Sequence, residues 1–364
     1  MSIYMFTGFP GYLATHLIQE ISNQEHPIER LYLLHHPSVK KTAEVDLRRL
    51  MEEGRVNAPD IQLIEGDITL PHMGLVSSVS ASLLNEVTHF FHLAALYDLA
   101  APLLPSWKIN VDGTRNVLNW LQDSPTLKHF IYFSSAFVSG KREGNIYEHE
   151  LTHKAGFKNH YEYTKYEAER LVQQQRSSLP VTVLRPGIVV GHSQTGETMK
   201  FDGPYFILNL LHQLKHLPLL PSFGNGKAYI NIVPQDFVTR AAASLAHQPQ
   251  SIGKTYHLTD PNPYTASDIY RLFTQHYLGR TPNFSLPMPI AKTVLSFKTT
   301  RRLTGIQKQA LSYFTCESKY QQDHTHTDLK ETQITCPNLK SYLPKLIDYY
   351  QSHRKNEEKH LSLL

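Results

Sequence analysis

Tyr161 and Lys165 stand four residues apart in Tyr161-Glu162-Tyr163-Thr164-Lys165, a spacing that on a helix sends both side chains to one face. An ammonium beside a phenol favours the phenolate and draws the phenol toward the range of a working proton donor or acceptor. The chain has 20 tyrosines, enough for about one such pair by chance, so order and context carry the argument. Upstream, Ser134 and Ser135 follow the apolar run 130–133, at the strand end where ligands bind in parallel α/β sheets. Ser135 could hydrogen-bond a substrate oxygen that Tyr161 protonates while Lys165 holds Tyr161 acidic. Ser134 and Tyr163 are the alternates, but Tyr163 would face elsewhere on a helix. The chemistry is proton transfer to an alkoxide that forms as hydride reaches a carbonyl carbon.

A hydride needs a carrier, and the N-terminus offers a seat for one. Residues 3–6 read as a strand that runs into Thr7-Gly8-Phe9-Pro10-Gly11-Tyr12-Leu13-Ala14. Gly8 permits a tight turn, Gly11 lets backbone N–H groups approach a pyrophosphate, and Ala14 allows close helix–strand contact. The helix starting there faces the phosphates with its N-terminus, which makes Thr7, Gly8, Pro10, Gly11, Tyr12 and Leu13 cofactor-binding candidates. The second apolar run, 31–34, ends without the carboxylate that would select NAD through the ribose 2′-hydroxyl. His35 and His36 stand there, with Lys40 and Lys41 shortly after. The expected cofactor is therefore NADP(H), with His35 among its contacts and NAD(H) as the alternative.

These residues need elements to hold them. Short apolar runs at 3–6, 31–34, 61–65, 89–93, 130–133 and 181–184 alternate with amphipathic stretches, the rhythm of βα units around a parallel sheet. Leu13, Leu17, Ile18 and Ile21 give the first helical stripe. The fold class is α/β, a Rossmann-type doubly wound parallel sheet with a smaller, interleaved C-terminal substrate domain. Residues 1–188 are assigned to the Rossmann core, with 229–248 returning to it. Residues 189–228 and 249–350 are assigned to the substrate-binding part, and 351–364 to a charged, solvated tail. Leu339, Tyr342, Leu343, Leu346, Ile347 and Tyr350 keep one helical face despite Pro344.

Composition limits the function classes. Hydrophobic residues make up 41% and charged residues 19% of 364, as in a globular protein. A formal charge of +4 gives no electrostatic reason to expect nucleic acid. Two cysteines, Cys316 and Cys336, are too few for a disulfide framework and favour a reducing, cytoplasmic setting. The start at Met1 shows no secretory pattern. The most apolar stretch, 205–220, is interrupted by Asn209, His212, Gln213, Lys215, His216 and Pro218. It is expected to be a helix lining the pocket and not a membrane span. Asp323-His324-Thr325-His326-Thr327-Asp328 reads as a polar surface turn, and no metal is expected. The 21 histidines leave the charge sensitive to mild acid.

Together the glycine motif, Gly66-Asp67-Ile68, His92-Leu93-Ala94-Ala95, Asn110-Val111-Asp112-Gly113-Thr114, Ser135, Tyr161/Lys165 and Arg185-Pro186-Gly187 resemble the extended branch of the short-chain dehydrogenase/reductase family. The resemblance implies that Asp67 and Ile68 flank the adenine, that Leu93, Ala94 and Ala95 lie along the cofactor, and that Pro186, Gly187 and Ile188 contact the nicotinamide side. It also implies that Lys165 binds the nicotinamide ribose and that Asn110 holds a relay water. Three stretches, residues 66–75, Gly191-His192-Ser193-Gln194-Thr195-Gly196-Glu197 and Asp202-Gly203-Pro204-Tyr205, are similar to fatty acyl-CoA reductases and thioester reductase domains. In many extended members Tyr stands where this chain has Ser139.

The expected function is NAD(P)H-dependent reduction of a carbonyl or acyl thioester, with Tyr97, Phe137, Val138 and Tyr205 near the substrate. The partner is then a small molecule, with a homodimer as the open alternative to a monomer. A sugar-nucleotide epimerase or dehydratase is the competing function. A dehydratase needs an acid–base pair just after the serine, where this chain has Ala136 and Phe137. A non-catalytic dinucleotide sensor would have no use for Asn110, Ser135, Tyr161 and Lys165 together.

Overall fold

A computed structural model of the chain describes residues 2–24, 26–223, 226–286 and 316–360. The six apolar runs become strands β1 (Ser2–Thr7), β2 (Ile28–His35), β3 (Ile61–Glu65), β4 (His89–His92), β5 (His129–Phe133) and β6 (Val181–Pro186). A seventh strand, β7 (Thr255–Leu258), completes an all-parallel sheet in the order β3-β2-β1-β4-β5-β6-β7.

A strand's side-chain period of two supplies both faces of this sheet. Tyr4, Phe6, Leu31, Leu33, Ile131 and Phe133 enter one core. Met5, Tyr32, Leu34, Phe130 and Tyr132 enter the other. Burial on both sides is why the runs read as continuously apolar. Helices α1 (Tyr12–Ser22) and α2 (Lys40–Glu52) cover the first face. On the second lie α3 (Ser77–Glu86), α5 (Gly113–Gln122) and α6 (His160–Gln174), with the short α4 (Leu103–Trp107) preceding α5. A third core joins α7 (Tyr205–Leu214), α9 (Ala266–Leu278) and α11 (Leu339–His353). Helix α8 (Gln235–Ala246) returns to pack on α1 through Phe237, Val238 and Ala241. The fold is a doubly wound Rossmann-type α/β sheet with a helical satellite.

Three assignments change. Residues 255–258 belong to the central sheet, not to the substrate part. Thr255-Tyr256-His257-Leu258 escapes a reading by hydropathy because its polar groups are buried and satisfied: His257 Nδ1 lies 2.7 Å from the Gln321 carbonyl, and the Tyr256 hydroxyl donates to Asp328 at 2.6 Å. The predicted turn at 323–328 is a helix, α10 (Asp323–Leu329), which packs on β7 and α8. The tail is docked: Phe201 N donates to the Lys359 carbonyl at 2.7 Å, and Lys359 Nζ donates to the Thr198 carbonyl at 2.7 Å. The assignment of 249–350 also takes in residues 287–315, which lie outside the described residues. Among the described residues no helix is long and apolar enough to cross a membrane.

With every strand parallel, all C-terminal ends share one edge, and the order reverses between β1 and β4. That crevice is where such sheets bind ligands.

Candidate active site

A cavity of about 1080 Å³ opens at this edge, room for a dinucleotide together with a substrate. Gly8, Pro10, Gly11, Tyr12 and Leu13 form one wall, and Asp67 and Ile68 lie at the end next to β2 and β3. Leu93, Ala94 and Ala95 continue from β4, and Pro186, Gly187 and Ile188 from β6. Ser135, Tyr161 and Lys165 line the same cavity, with Tyr97 and Phe137 beside them.

The glycine turn is built for close approach to a ligand. Gly8 has φ +91°, and a Cβ there would stand 2.8 Å from Ala94 N. A Cβ on Gly11 would stand 2.6 Å from the Gly8 carbonyl. Gly11 caps α1 with no side-chain hydrogen bond to the first turn, which leaves the helix's N-terminal N–H groups for an anion. The chain therefore fits a dinucleotide diphosphate at this turn.

The catalytic candidates come from β5 and α6. Asn159 starts α6 by accepting the Glu162 N–H at 2.9 Å, and the helix carries Tyr161 and Lys165 on one face toward the cavity. Ser135 Oγ accepts the Phe137 N–H at 3.2 Å and hydrogen-bonds Tyr161, so the two hydroxyls meet in the cavity. Lys165 Nζ donates to the Phe133 carbonyl at 2.6 Å and lies 4.7 Å from the centre of the Tyr132 ring. Burial lowers Lys165 to about 8, opposed by the charge of Glu169. Burial pushes Tyr161 up to about 12, opposed by its hydrogen bond with Ser135. The expected lowering of Tyr161 by Lys165 is not seen here: desolvation dominates, and Nζ is turned to the Phe133 carbonyl.

The alternates lie elsewhere. Ser134 donates to Glu169 in a buried network, and the Tyr163 ring packs on Trp107 and Phe157. Asn110 sits in a π-helical turn, Lys108–Asp112, a local widening that recurs at functional sites. Its Oδ1 accepts the Leu96 N–H at 2.8 Å and its Nδ2 donates to Thr164 Oγ1 at 3.0 Å. It thus ties the loop bearing Tyr97 to α6.

Five assigned residues do not line the cavity, Asn110, held by Leu96 and Thr164, among them. Thr7 is fully buried, with its Oγ1 2.8 Å from His92 Nδ1 and accepting the Leu93 and Ala94 N–H groups, so it pins β1 to β4. His35 is buried at the end of β2, and its neighbour His36 reaches the cavity instead, with Nε2 3.7 Å from Asp67 Oδ2. The side-chain alternation of β2 decides between them. Val138 is buried away from the cavity. Tyr205 belongs to the satellite core, where its hydroxyl accepts the Gly191 N–H at 3.2 Å. The predicted pocket wall at 205–220 is therefore replaced by the preceding loop, with Thr198, Met199, Lys200 and Asp202. Burial pushes the Asp202 carboxyl up to about 6. Sequence reasoning missed Met199, Lys200 and Asp202 because an irregular loop carries no periodicity to place it. Leu104 was missed with them.

The NAD-binding family described as Male sterility protein matches residues 6–242. The chain belongs to that family. It is 26% identical over 260 residues to the fatty acyl-CoA reductase wat of Drosophila melanogaster, covering 64% of this chain and 50% of that protein. It is 28% identical over 271 residues to the large subunit of L-2-aminoadipate reductase from Penicillium chrysogenum, covering 68% of this chain and 18% of that one. The chain thus spans half or less of these relatives' length. The crystal structure of the terminal R domain from the myxalamid PKS-NRPS biosynthetic pathway superposes with a TM-score of 0.82 at 25% identity, covering 99% of this chain and 93% of that one. With this membership, the chain is one that takes a nicotinamide cofactor.

Proposed function

We propose that this chain is an NADPH-dependent reductase of carbonyl or acyl thioester substrates with an apolar acyl part. The observation that carries the reading is the convergence of Ser135, Tyr161, Lys165 and the glycine turn on one cavity. The relatives' names, a fatty acyl-CoA reductase and an aminoadipate reductase, support it.

The glycine turn and the α1 N-terminus would hold the diphosphate, Asp67 and Ile68 would border the adenine, and Pro186, Gly187 and Ile188 would border the nicotinamide. The bound dinucleotide supplies a hydride to the substrate carbonyl carbon. Tyr161, kept neutral by burial, has its proton in place and gives it to the carbonyl oxygen as that oxygen gains charge. Ser135 donates a hydrogen bond to the same oxygen. Lys165, held at the Phe133 carbonyl, adds positive charge to the cavity, and Asn110 positions α6 through Thr164. Phe137, Ile188, Val189, Met199 and Leu104 offer apolar surface for the acyl part.

NADPH is preferred in this reading because no carboxylate ends β2. His36 lines the cavity and would meet a 2′-phosphate in this reading, whereas Lys40 Nζ is 3.2 Å from Glu65. One charge-assisted contact of about 1.5 to 3 kcal/mol corresponds to roughly tenfold to a hundredfold in affinity.

The test is NADPH oxidation against long-chain acyl-CoA, aldehyde, ketone and UDP-sugar substrates. Turnover of acyl-CoA or aldehyde is expected, and turnover of the sugars alone would overturn the reading.

A further inference from the structure

Directly behind the catalytic face of α6 lies a charged network that the mechanism above does not use. Glu169 is one helical turn past Lys165, on the same face, and is fully buried. Its Oε1 accepts Arg185 Nη2 at 2.6 Å and Nε at 3.1 Å, and Gln173 Nε2 at 3.2 Å. Its Oε2 accepts Arg185 Nε at 3.1 Å and the hydroxyl of Ser134, the neighbour of Ser135. Arg185 in turn contacts the Glu148 carbonyl at 3.3 Å and His257 Nε2 at 3.2 Å. One carboxylate therefore links the catalytic helix, the serine turn and two strands.

We propose that Glu169, clamped by Arg185 and Ser134, is the positioning residue that keeps Lys165 charged in the cavity. The proposal rests on the reductase reading only for its effect on turnover, and the charge relation itself is independent of it. A lysine enclosed by β4, β5 and α6 has lost most of its hydration, and that loss favours the neutral amine. The groups facing Lys165 are the Tyr132 ring and Phe133 carbonyl on β5, His92 on β4, and Tyr161 and Glu169 on α6. Among these, Tyr161 and His92 are neutral near pH 7: burial holds Tyr161 up and pushes His92 down to about 3. Glu169 is the group that supplies a negative charge.

Burial alone would push the Glu169 carboxyl up. The charge and hydrogen bonds of Arg185, with those of Ser134 and Gln173, outweigh burial and hold it below the usual carboxylate range. Arg176 adds a further positive group nearby. The arginine and serine thus keep Glu169 ionised, and Glu169 raises Lys165 back toward the charged state.

A unit charge about 6 Å away at an effective dielectric of about 20 to 40 moves a titration by about one to two pH units. Glu169→Gln removes that charge but strands Arg185 in the interior, which can unfold the protein. Glu169→Gln combined with Arg185→Met removes both charges and leaves neither unpaired. The readout is an NMR titration of labelled lysine in the unliganded protein, with Lys165 assigned by its loss in Lys165→Met and folding checked by circular dichroism. The wild-type midpoint is expected near 8; it should fall by about one to two units in a folded Glu169→Gln and by less, up to about one unit, in the folded double variant, which also loses the opposing charge of Arg185. The limb of the turnover profile that drops as pH rises should move down by the same amount. An unmoved Lys165 midpoint in the folded double variant overturns the proposal. If the wild type turns over none of the panel substrates, the reductase reading fails while the titration still decides this one.

Discussion

Acidification should unfold this protein well above the pH at which carboxylates protonate. Burial lowers His89, His92 and His257 to about 3, and His129 and His247 to about 4. Three of them cluster around Tyr4: His89 stacks on its ring at 4.9 Å, His247 Nε2 is 2.8 Å from its hydroxyl, and the His89 and His129 rings are 6.4 Å apart. In the unfolded chain each titrates near 6.5. Between 6.5 and about 4 the unfolded state takes up protons that the folded state refuses, so stability is full above that window and falls as pH falls through it. Each histidine contributes about 1.4 kcal/mol per pH unit, and five give at most about 7 kcal/mol for each pH unit of the window. Against a typical total of about 5 to 15 kcal/mol, the fold should be lost between about pH 6 and 4. The assay is urea unfolding followed by the fluorescence of buried Trp120 at pH 7.5, 6.5 and 5.5. His89→Phe retains the stacking on Tyr4 and should shrink the pH slope by about a fifth. Equal urea midpoints at pH 7.5 and 5.5 would refute the reasoning.

Three further outcomes follow from the cavity. Gly11→Ala places a methyl 2.6 Å from the Gly8 carbonyl, so the turn must open, and the dinucleotide Kd should rise at least about tenfold with the fold intact; an unchanged Kd counts against the glycine turn as the diphosphate seat. His36→Asp puts a carboxylate at the end of β2 and should reverse the ratio of NADPH to NADH dissociation constants, whereas an unchanged ratio removes His36 from cofactor selection. Lys359→Met releases the tail from the Thr198 carbonyl and should raise KM by roughly twofold to tenfold at constant cofactor Kd, because the loop it holds lines the substrate end. Identical KM values would make the docked tail irrelevant to binding.

The sheet was legible because its strands are buried on both faces, and a short, continuous apolar run such as 130–133 is what that burial demands. The meeting of Ser135, Tyr161 and Lys165 in one cavity was legible because helical spacing and strand-end position constrain the three together. β7 was hidden, since Thr255 and His257 are polar and their satisfaction comes from Arg176, Gln321 and Arg185, distant in sequence. His35 and His36 could be told apart only by knowing which residue ends the strand's alternation. Tyr205 misled because an amphipathic helix announces burial but not which core receives it. The loop 198–202 gave no signal at all, and its place is set by Lys359, more than 150 residues away. Glu169 reads in the sequence as one more helix-surface acid, and only the fold brings Arg185 and Ser134 to it.

The account turns on Tyr161 as the proton donor in the cavity. The most direct measurement is steady-state turnover of the best panel substrate by Tyr161→Phe and Tyr163→Phe, with the NADPH Kd measured for each. Tyr161→Phe should lose about two to four orders of magnitude in kcat with the Kd nearly unchanged, and Tyr163→Phe should remain close to wild type. Near-wild-type turnover by Tyr161→Phe, with Tyr163→Phe inactive, would contradict the assignment of this site.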